Sequence, residues 1–341
     1  MNILALETSC DETSASVVLD GTKVNSIVIS SQIKTHSKFF GVVPELASRK
    51  HIENINSVIH KALKNAGINF TDFAQQIDAV AFTAGPGLSG ALIVGAVAAK
   101  SIACIYEKPI IPVNHLEGHI YSALIENKFV KPPFLSVIIS GGHTALIIVK
   151  DFGKYKILGN TRDDAAGEAF DKAAKMLGLS YPGGPVIDKK ADKGNPKAVK
   201  FTRPYLKGSW DFSFSGIKTA LLNYLKENPI NNRKHLNDIC ASFRQAVVET
   251  LCFKSFEAAK EFNLRQIVLG GGVSANSLIR TMFLQTGQKN KIKVFIPPII
   301  YCTDNAAMIA CAAYLKQKKC GLKYNQNELK PSACLKLTNW N

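Results

Sequence analysis

Two histidines four residues apart are the first feature of this sequence that could do chemistry. His115 and His119 lie in the segment NHLEGH, residues 114–119. On a helix, residues i and i+4 share one face, so both imidazoles could bind one metal ion. A surface helix with two titrating histidines is the alternative. A zinc-peptidase pattern needs a glutamate directly after the first histidine. Leu116 occupies that place and the glutamate is Glu117, so the peptidase pattern is absent.

A metal site needs a third ligand, and Asp304 is the candidate. It lies in YCTDN, residues 301–305, where a strand, a loop and a helix are expected to meet. Capping of that helix is the alternative role for its carboxylate. Two histidines and one carboxylate leave coordination positions open for a substrate, as catalytic metals require. This ligand set suits either iron or zinc.

Three glycine-rich loops each follow a predicted strand. They are residues 83–90 (TAGPGLSG), 140–142 (SGG) and 270–272 (GGG). Two of them lead into predicted helices, where free N–H groups and the helix dipole attract phosphate. None has the spacing of a P-loop or of a dinucleotide-binding fingerprint. Each loop alone could be only a tight turn, but the three together favour a nucleotide or acyl-adenylate site.

Four further carboxylates lie where they could face a ligand. Asp11 and Glu12 belong to the turn of the first predicted hairpin, where either could act as a general base or simply form the turn. Asp171 lies on a predicted helix and could hold ribose hydroxyls, unless it is an exposed helix acid. Asp188 follows a pair of glycines that would let the backbone approach a ligand, and a plain turn is the alternative.

Strand and helix patterns alternate along the chain, which predicts an α/β fold. A strand, a polar turn and a returning strand occur at residues 3–19 and again at 134–149. This recurrence suggests two halves that each begin with a β-hairpin. Apolar periodicity predicts helices at 51–66 and 235–262. The stretch 183–210, rich in Gly, Pro and Lys, is expected to be an exposed connector.

The composition of the 341 residues is that of a globular enzyme with about two domains. A net charge of +16 favours a polyanionic partner such as nucleic acid, although a protein that is basic throughout is an equal alternative. The eight cysteines include no C-x-x-C pair. No secretory signal or membrane-spanning run is visible, so we expect reduced thiols and a cytoplasmic location, with no membrane partner.

Taken together, the motifs resemble the TsaD (YgjD/Gcp) family, the tRNA N6-adenosine threonylcarbamoyltransferases. The matching stretches cover the chain in order: ETSCDET at 7–13, GVVPELASR at 41–49, TAGPGLSGAL at 83–92, NHLEGH at 114–119, SGGHT at 140–144, DDAAGEAFDK at 163–172, YPGGP at 181–185, DFSFSGIKT at 211–219, GGGVSAN at 270–276 and CTDNAAMIA at 302–310. Ala306 stands where a glycine is common in the family, a change too small to affect the site.

The resemblance implies an α/β fold of the actin, sugar-kinase and Hsp70 (ASKHA) type, with two duplicated lobes and a central cleft. One lobe would comprise residues 1–130 plus 304–341, and the other residues 131–303. It also implies an acyl transfer, in which threonylcarbamoyl passes from threonylcarbamoyl-AMP to N6 of adenosine 37 in tRNAs that read codons beginning with A, and AMP is released. Alternatives are an ATP-dependent phosphotransferase or ATPase of the same fold, a metallopeptidase, and a nonenzymatic scaffold for tRNA.

The resemblance also assigns roles to residues and partners. His115, His119 and Asp304 would hold one divalent metal ion, with iron favoured and zinc possible. The residues that would contact the adenylate are Ile138, Ile139, Ser140, Gly141, Gly142, Asp171, Gly184, Asp188 and Asn276. We expect Asp11, or the nearby Glu12, to remove the amine proton. Implied partners are tRNA, a TsaB-like paralogue, a TsaE-like ATPase and a TsaC-type enzyme that makes the adenylate.

Overall fold

The computed structural model describes residues 1–125, 127, 129–204, 206, 208–321 and 329–340. Their contacts divide the chain into two compact units. Unit 1 comprises Met1–Pro132, Asp151–Tyr155 and Pro297–Asn341, and unit 2 comprises Pro133–Lys150 and Lys156–Ile296.

Unit 1 is built on a mixed five-stranded sheet with the order β3-β2-β1-β4-β5. Strands β1, β2 and β3 are antiparallel neighbours, whereas β4 and β5 run parallel to β1. The strands are β1 (Asn2–Glu7), β2 (Glu12–Leu19), β3 (Lys23–Ser31), β4 (Ala79–Gly85) and β5 (Ile110–Asn114), and the helices are α1 (Ile33–His36), α2 (Pro44–Asn65), α3 (Phe73–Gln76), α4 (Ser89–Ile105), α5 (His115–Tyr121) and α11 (Ala306–Cys320).

The core of unit 1 lies between this sheet and helices α2 and α4. Leu4 and Leu6 of β1 pack with Val58 and Ile59 of α2 in one buried cluster. Helix α2 begins at Pro44, earlier than the predicted 51–66, and proline at the first helical position costs no hydrogen bond. The carboxyl ends of the parallel strands β1, β4 and β5 lie at one edge, where Glu7, Gly85 and Asn114 end their strands.

Unit 2 repeats the same arrangement, with the order β10-β9-β6-β7-β8. Strand β7 is antiparallel to β6, and β9 and β10 follow in parallel. The strands are β6 (Phe134–Ile139), β7 (Thr144–Asp151), β8 (Lys154–Asn160), β9 (Gln266–Gly270) and β10 (Lys293–Phe295), and the helices are α6 (Ala166–Met176), α7 (Gly183–Ala191), α8 (Ser215–Glu227), α9 (Arg233–Glu261) and α10 (Ser277–Asn290).

The expectation of an exposed connector over 183–210 is wrong for its first part. Residues Gly183–Ala191 form helix α7, which buries Ile187 and Ala191 in the core of unit 2. Gly183 makes this packing possible, because a Cβ atom there would lie 2.6 Å from the Cβ of Ala174 on α6. In a sequence, glycine usually indicates a loop, whereas Gly183 permits close packing of two helices.

Each unit therefore begins its sheet with a β-hairpin and adds two parallel strands beyond the first strand of that hairpin. This confirms the α/β class and the two related halves predicted from the recurring strand–turn–strand pattern. Among the described helices, none combines the length and apolar character that crossing a membrane would require.

Candidate metal centre and nucleotide-binding residues

Helix α5 fixes the two histidines on one face. Its N-cap is Asn114, whose side-chain oxygen accepts a hydrogen bond from the Leu116 N–H at 2.9 Å. The side chain of Glu117 accepts from the Asn114 N–H at 3.4 Å, which completes a capping box. A short helix held in this way places the rings of His115 and His119 with their centroids 4.7 Å apart.

Asp304 lies beside these two histidines, although it is more than 180 residues away in the sequence. Its Oδ1 lies 3.1 Å from Nε2 of His119 and 3.6 Å from Nε2 of His115. The three residues each offer a ligand atom, and these atoms lie within 4.8 Å of one another. The alternative role of Asp304 as a helix cap is wrong, because Asn305 is the N-cap of α11 and accepts from the Met308 N–H.

The second ring nitrogen of His115 is oriented by the end of β1. Nδ1 lies 3.0 Å from Oε2 of Glu7 and 3.1 Å from Oγ of Ser9. Glu7 is fully buried, and its Oε2 also accepts from the Thr83 hydroxyl at 2.7 Å. A carboxylate that holds one imidazole nitrogen leaves the other available to a metal, an arrangement common around bound metals.

The electrostatics of this cluster favour a cation. Burial alone would lower the pKa of His115, but the carboxylates of Asp304 and Glu7 raise it to about 9. Burial raises the pKa of Glu7, yet His115 more than offsets this, and the pKa of Glu7 falls below its ordinary value. His115 can therefore hold positive charge in the absence of another cation.

His119 provides the observation that tests the fit of a metal. It is fully buried, and neither ring nitrogen makes a hydrogen bond with any residue that the structure describes. A buried polar atom without a partner is costly, so an unexplained one indicates a missing ligand or ion. The nitrogen that faces Asp304 is a good ligand for iron or zinc. The donor set of two imidazoles and one carboxylate fits a divalent ion.

Asp11 and Glu12 lie close enough to this cluster to interact with it. Burial raises the pKa of Glu12 well above its ordinary value, and the charges of Asp11 and Asp304 raise it further. The Asp11 side chain is nearly buried at the end of the hairpin turn. A concentration of carboxylates in a partly dry site favours proton uptake by one of them.

Glu117 faces away from the histidine pair. Its carboxylate accepts hydrogen bonds from the hydroxyl of Tyr155 at 3.1 Å and from Nε1 of Trp340. This glutamate therefore anchors helix α5 and does not serve as a base beside a metal. The contact was not predicted, because nothing in the NHLEGH motif indicates that residues 155 and 340 would reach it.

In unit 2, two glycine loops lie side by side at the carboxyl ends of β6 and β9. A Cβ atom on Gly271 would lie 2.4 Å from the carbonyl oxygen of Ile139, and one on Gly167 would lie 2.7 Å from that of Ser140. The predicted adenylate contacts at residues 138–142 are thus packed against the GGG loop and against α6. The turn itself is closed by the Ser140 N–H, which donates to the His143 carbonyl at 2.8 Å.

The predicted acidic contacts lie on the helices beside these loops. Asp171 of α6 accepts from the Gly183 N–H at 2.7 Å, at the start of α7. Asp188 of α7 forms an ion pair with Arg244 at 2.6 Å and accepts from the Ser277 N–H at 3.0 Å. Sequence reasoning did not identify Arg244, a buried cation within α9 whose role depends on residues distant in sequence.

Asn276 is the N-cap residue of helix α10. Its side-chain oxygen accepts from the backbone N–H groups of Leu278 and Ile279 at 3.1 and 3.2 Å, and so caps α10. The hydrogen bond from Ser277 to Asp188 places Asn276 next to α7. The side-chain amide nitrogen of Asn276 remains a donor that this capping does not use.

Three of the predicted contact glycines have open space where a side chain would be. A Cβ atom on Gly141 or Gly142 would meet nothing within 4 Å, and one on Gly184 would meet only the Cβ of Phe170 at 4.0 Å. None of the three has a positive φ. The protein itself therefore does not require glycine there, whereas a ligand that approaches the backbone would.

Comparisons with known proteins show which family this chain is similar to. A family model described as TsaD, tRNA N6-adenosine threonylcarbamoyltransferase, matches residues 23–311. The chain is 78% identical to the tRNA N6-adenosine threonylcarbamoyltransferase of Endomicrobium trichonymphae, over all of this chain and 99% of that protein. It is 53% identical to the enzyme of the same name from Clostridioides difficile, over 91% of each.

Solved structures show the same fold at low identity. Full-length HypF, in a phosphate- and nucleotide-bound form, has a TM-score of 0.62 and 14% identity over 94% of this chain and 47% of its own. Component A of the Acidaminococcus fermentans (R)-2-hydroxyglutaryl-CoA dehydratase has a TM-score of 0.55 and 16% identity over 94% of this chain and all of its own. These likenesses confirm the fold class expected from the sequence.

Proposed function

The chain belongs to the TsaD family of tRNA N6-adenosine threonylcarbamoyltransferases, and from this membership we propose how its residues act. It is an acyltransferase that forms threonylcarbamoyladenosine in tRNA. We propose threonylcarbamoyl-AMP as the donor and adenosine 37 of tRNAs that read codons beginning with A as the acceptor. The proposal rests on the family and on the two groups of residues described above.

We propose that His115, His119 and Asp304 hold one divalent ion, iron in preference to zinc. Buried His119 supports this assignment most directly, because its ring nitrogens form no hydrogen bond with the described residues and its Nε2 lies 3.1 Å from Asp304. A bound divalent ion supplies Lewis acidity, which polarises a carbonyl oxygen. Glu7 would hold the His115 ring in the orientation that turns Nε2 toward the ion.

A carboxylate of this chain would accept the proton that N6 of the adenosine loses. In the transfer, N6 of adenosine attacks the carbamoyl carbon, and the bond from that carbon to the phosphate oxygen of AMP breaks. AMP leaves with the electron pair, and N6 gives up one proton. We assign this proton to Asp11, with the nearby Glu12 as the alternative acceptor. An exocyclic amine is a weak nucleophile, so positioning supplies much of the rate enhancement.

Unit 2 would bind the adenylate. The open space at Gly141, Gly142 and Gly184 supports close approach of a ligand to the backbone, and the N–H groups of the turn can donate to phosphate oxygens. Asp171 and Asp188 lie on neighbouring helices, where carboxylates can accept hydrogen bonds from ribose hydroxyls. We propose residues 138–142 and Asn276 as the remaining contacts.

The proposal also includes partners. A TsaB-like paralogue, a TsaE-like ATPase and a TsaC-type adenylate synthase would act with this chain, as the family resemblance implies. Because the substrate is tRNA, we place the reaction in the cytoplasm.

The test is a reconstitution with these partners, threonylcarbamoyl-AMP, a divalent metal and unmodified tRNA, followed by mass analysis of the nucleosides. We expect modified adenosine with the wild-type chain, and none with H119L or D304N. If tRNA stays unmodified under metal-replete conditions, the proposal fails. Vigorous ATP hydrolysis by the chain without partners would indicate a phosphotransferase or ATPase instead.

A further inference from the structure

The positive charge of this protein is unevenly divided between its two units. Unit 2 contains 24 Lys and Arg against 12 Asp and Glu, a formal net charge of +12. Unit 1 contains 18 Lys and Arg against 14 Asp and Glu, a formal net charge of +4. Unit 2 therefore carries three quarters of the excess positive charge. A protein that is basic throughout, without a polyanionic partner, would be expected to carry this charge more evenly.

Within unit 2, five lysines lie in one short stretch. We call residues 189–200 the lysine segment, and its cations are Lys189, Lys190, Lys193, Lys197 and Lys200. Lys190 is half-buried and the other four are exposed. The segment contains one carboxylate, Asp192, whose Oδ1 already accepts from Arg244 at 2.8 Å.

These five ammonium groups are not neutralised within the described structure. Other cations of unit 2 do form ion pairs: Lys172 and Lys218 with Asp164, Arg203 with Glu249, and Arg244 with Asp188. No ion pair between described residues includes a member of the lysine segment. Five cations that form no ion pair in the described part of the chain therefore lie within twelve residues, which is a local concentration of positive charge.

The segment is a direct continuation of the helix proposed to contact the adenylate. Gly184 and Asp188 belong to α7, and Lys189 and Lys190 occupy its last turn. Lys190 lies six residues beyond Gly184, which is about 9 Å of helical rise. The backbone then holds the following residues in place, because the Asn195 N–H donates to Asp238 at 2.7 Å and the Val199 N–H to Ser242 at 3.0 Å.

We propose that the lysine segment binds the phosphate backbone of the tRNA substrate beside the reacting adenosine. This rests on the proposed function, since it takes the adenylate contacts of α7 as the place of the reaction. Lysine is a flexible point charge that binds phosphate without reading sequence, and each contact releases condensed counterions. The segment would thus orient the RNA near the donor, whereas recognition of the base would occur elsewhere.

A second group of lysines provides the matched control. Lys289, Lys291 and Lys293 also lie in unit 2 and form no ion pair in the described part of the chain. They lie at the far end of α10 from Asn276, about 18 Å of helical rise away. If net charge alone governed tRNA binding, removal of these lysines would weaken it as much as changes in the lysine segment.

The experiment compares K193Q/K197Q/K200Q with K289Q/K291Q/K293Q in the full chain. The dissociation constant for unmodified tRNA is measured by filter binding between 50 and 200 mM KCl. For the lysine-segment variant we expect about a tenfold weaker affinity and a salt slope smaller by about 2, since each lost phosphate contact removes roughly 0.7–0.9. The control variant should reproduce the wild-type affinity and slope.

Two outcomes would overturn the proposal: unchanged tRNA affinity in the lysine-segment variant, or an equal loss in both variants. Binding of AMP, measured by calorimetry, should be the same for wild type and both variants, and matching melting temperatures exclude misfolding. The result is independent of the reconstitution. If wild-type protein made no modified adenosine, the proposed function would fail, yet the comparison of tRNA affinities would still give its own answer.

Discussion

Nδ1 of His115 lies 3.0 Å from Oε2 of Glu7, and Nε2 of the same ring faces Asp304. One buried carboxylate therefore determines which nitrogen of His115 is available to a cation. Glu7 is the last residue of β1 and His115 is the first residue of α5. Their contact therefore also connects the end of the central strand to the helix that bears both histidines.

The first prediction concerns this pair. The variant E7Q removes the charge that orients His115 but keeps the shape of the side chain. We expect metal affinity to fall about 10- to 100-fold, the range usual for loss of a residue that supports a metal ligand. Chelator competition with the purified protein measures this directly. E45Q, a change at an exposed glutamate on α2, should bind metal as wild type does, and undiminished affinity in E7Q would disprove the positioning role.

The second prediction separates a metal ligand from a structural histidine. His119 and His51 are both fully buried, but His51 bonds Thr13 at 2.8 Å and the Cys10 carbonyl at 3.0 Å. In metal-free protein, H119L should change the free energy of unfolding by less than about 1 kcal/mol, whereas H51L should cost about 2–3 kcal/mol.

Metal should then raise the melting temperature of H51L but not of H119L. At a metal concentration 100 times the dissociation constant, the stabilisation of a competent site is about 2.7 kcal/mol. Thermal unfolding with and without added Fe²⁺ or Zn²⁺ provides the measurement. A metal-induced shift that persists in H119L would exclude His119 as a ligand.

The third prediction concerns the glycine loops of unit 2. G142A places a methyl group in open space, so stability should stay within about 0.5 kcal/mol of wild type. Affinity for AMP should nevertheless fall, because the methyl group occupies the space proposed for the ligand. Calorimetric titration with AMP checks this, and wild-type affinity in G142A would remove the turn from the binding site.

G271A is the comparison for that variant. Gly271 has φ +91°, and its added Cβ would lie 2.4 Å from the Ile139 carbonyl oxygen. We expect this variant to lose at least about 1–2 kcal/mol of stability from the backbone conformation alone. Urea unfolding of both variants shows whether the two glycines differ as the structure indicates.

The fourth prediction tests the proton acceptor. D11N should reduce transfer at least 100-fold, because general base catalysis typically contributes that much. Binding of AMP by unit 2 should be unchanged, since Asp11 belongs to unit 1. Single-turnover formation of modified adenosine gives the rate. Near-normal turnover in D11N, together with a large loss in E12Q, would move the role to Glu12.

The fifth prediction is a pH dependence of stability. Burial would raise the pKa of Asp163, but hydrogen bonds from Ser213, Phe214 and Ser215 lower it below 3.8. A carboxyl group with a lowered pKa stabilises the fold above its unfolded pKa and loses that contribution as pH falls through the folded value. Asp163 is exposed, and solvent screens its hydrogen bonds, so D163A should cost no more than about 1 kcal/mol at pH 7 and progressively less below pH 4. Urea unfolding of D163A and wild type from pH 7 to 3 measures the difference, and a constant gap would contradict this cause.

Local spacing predicted that the three residues of the candidate metal site would lie together. The four-residue interval between His115 and His119 requires only that α5 be helical, and Asp304 lies at a strand-to-helix junction as expected. The sequence also allowed the α/β fold to be predicted, because short apolar runs bounded by polar turns mark buried strands, and these runs alternate with helical patterns. Such features depend on neighbours within about ten residues.

The contacts that could not be predicted join distant parts of the chain. Trp340 donates to Glu117, and Arg244 pairs with Asp188, each across more than fifty residues. The residue type of a tryptophan or an arginine does not predict which distant residue it will contact. Helix α7 was missed for a different reason, since its two initial glycines suggest a turn when the helix they pack against is unknown.

The two sheets have equivalent strand orders, each strand of unit 1 having a counterpart in unit 2. Such symmetry is what duplication and fusion of one ancestral gene would leave. The bend that follows the first strand nonetheless differs between the units: it contains Asp11 and Glu12 in unit 1 and Gly141 and Gly142 in unit 2. The same strand order therefore accommodates two bends of different chemistry, one with carboxylates and the other with exposed backbone N–H groups.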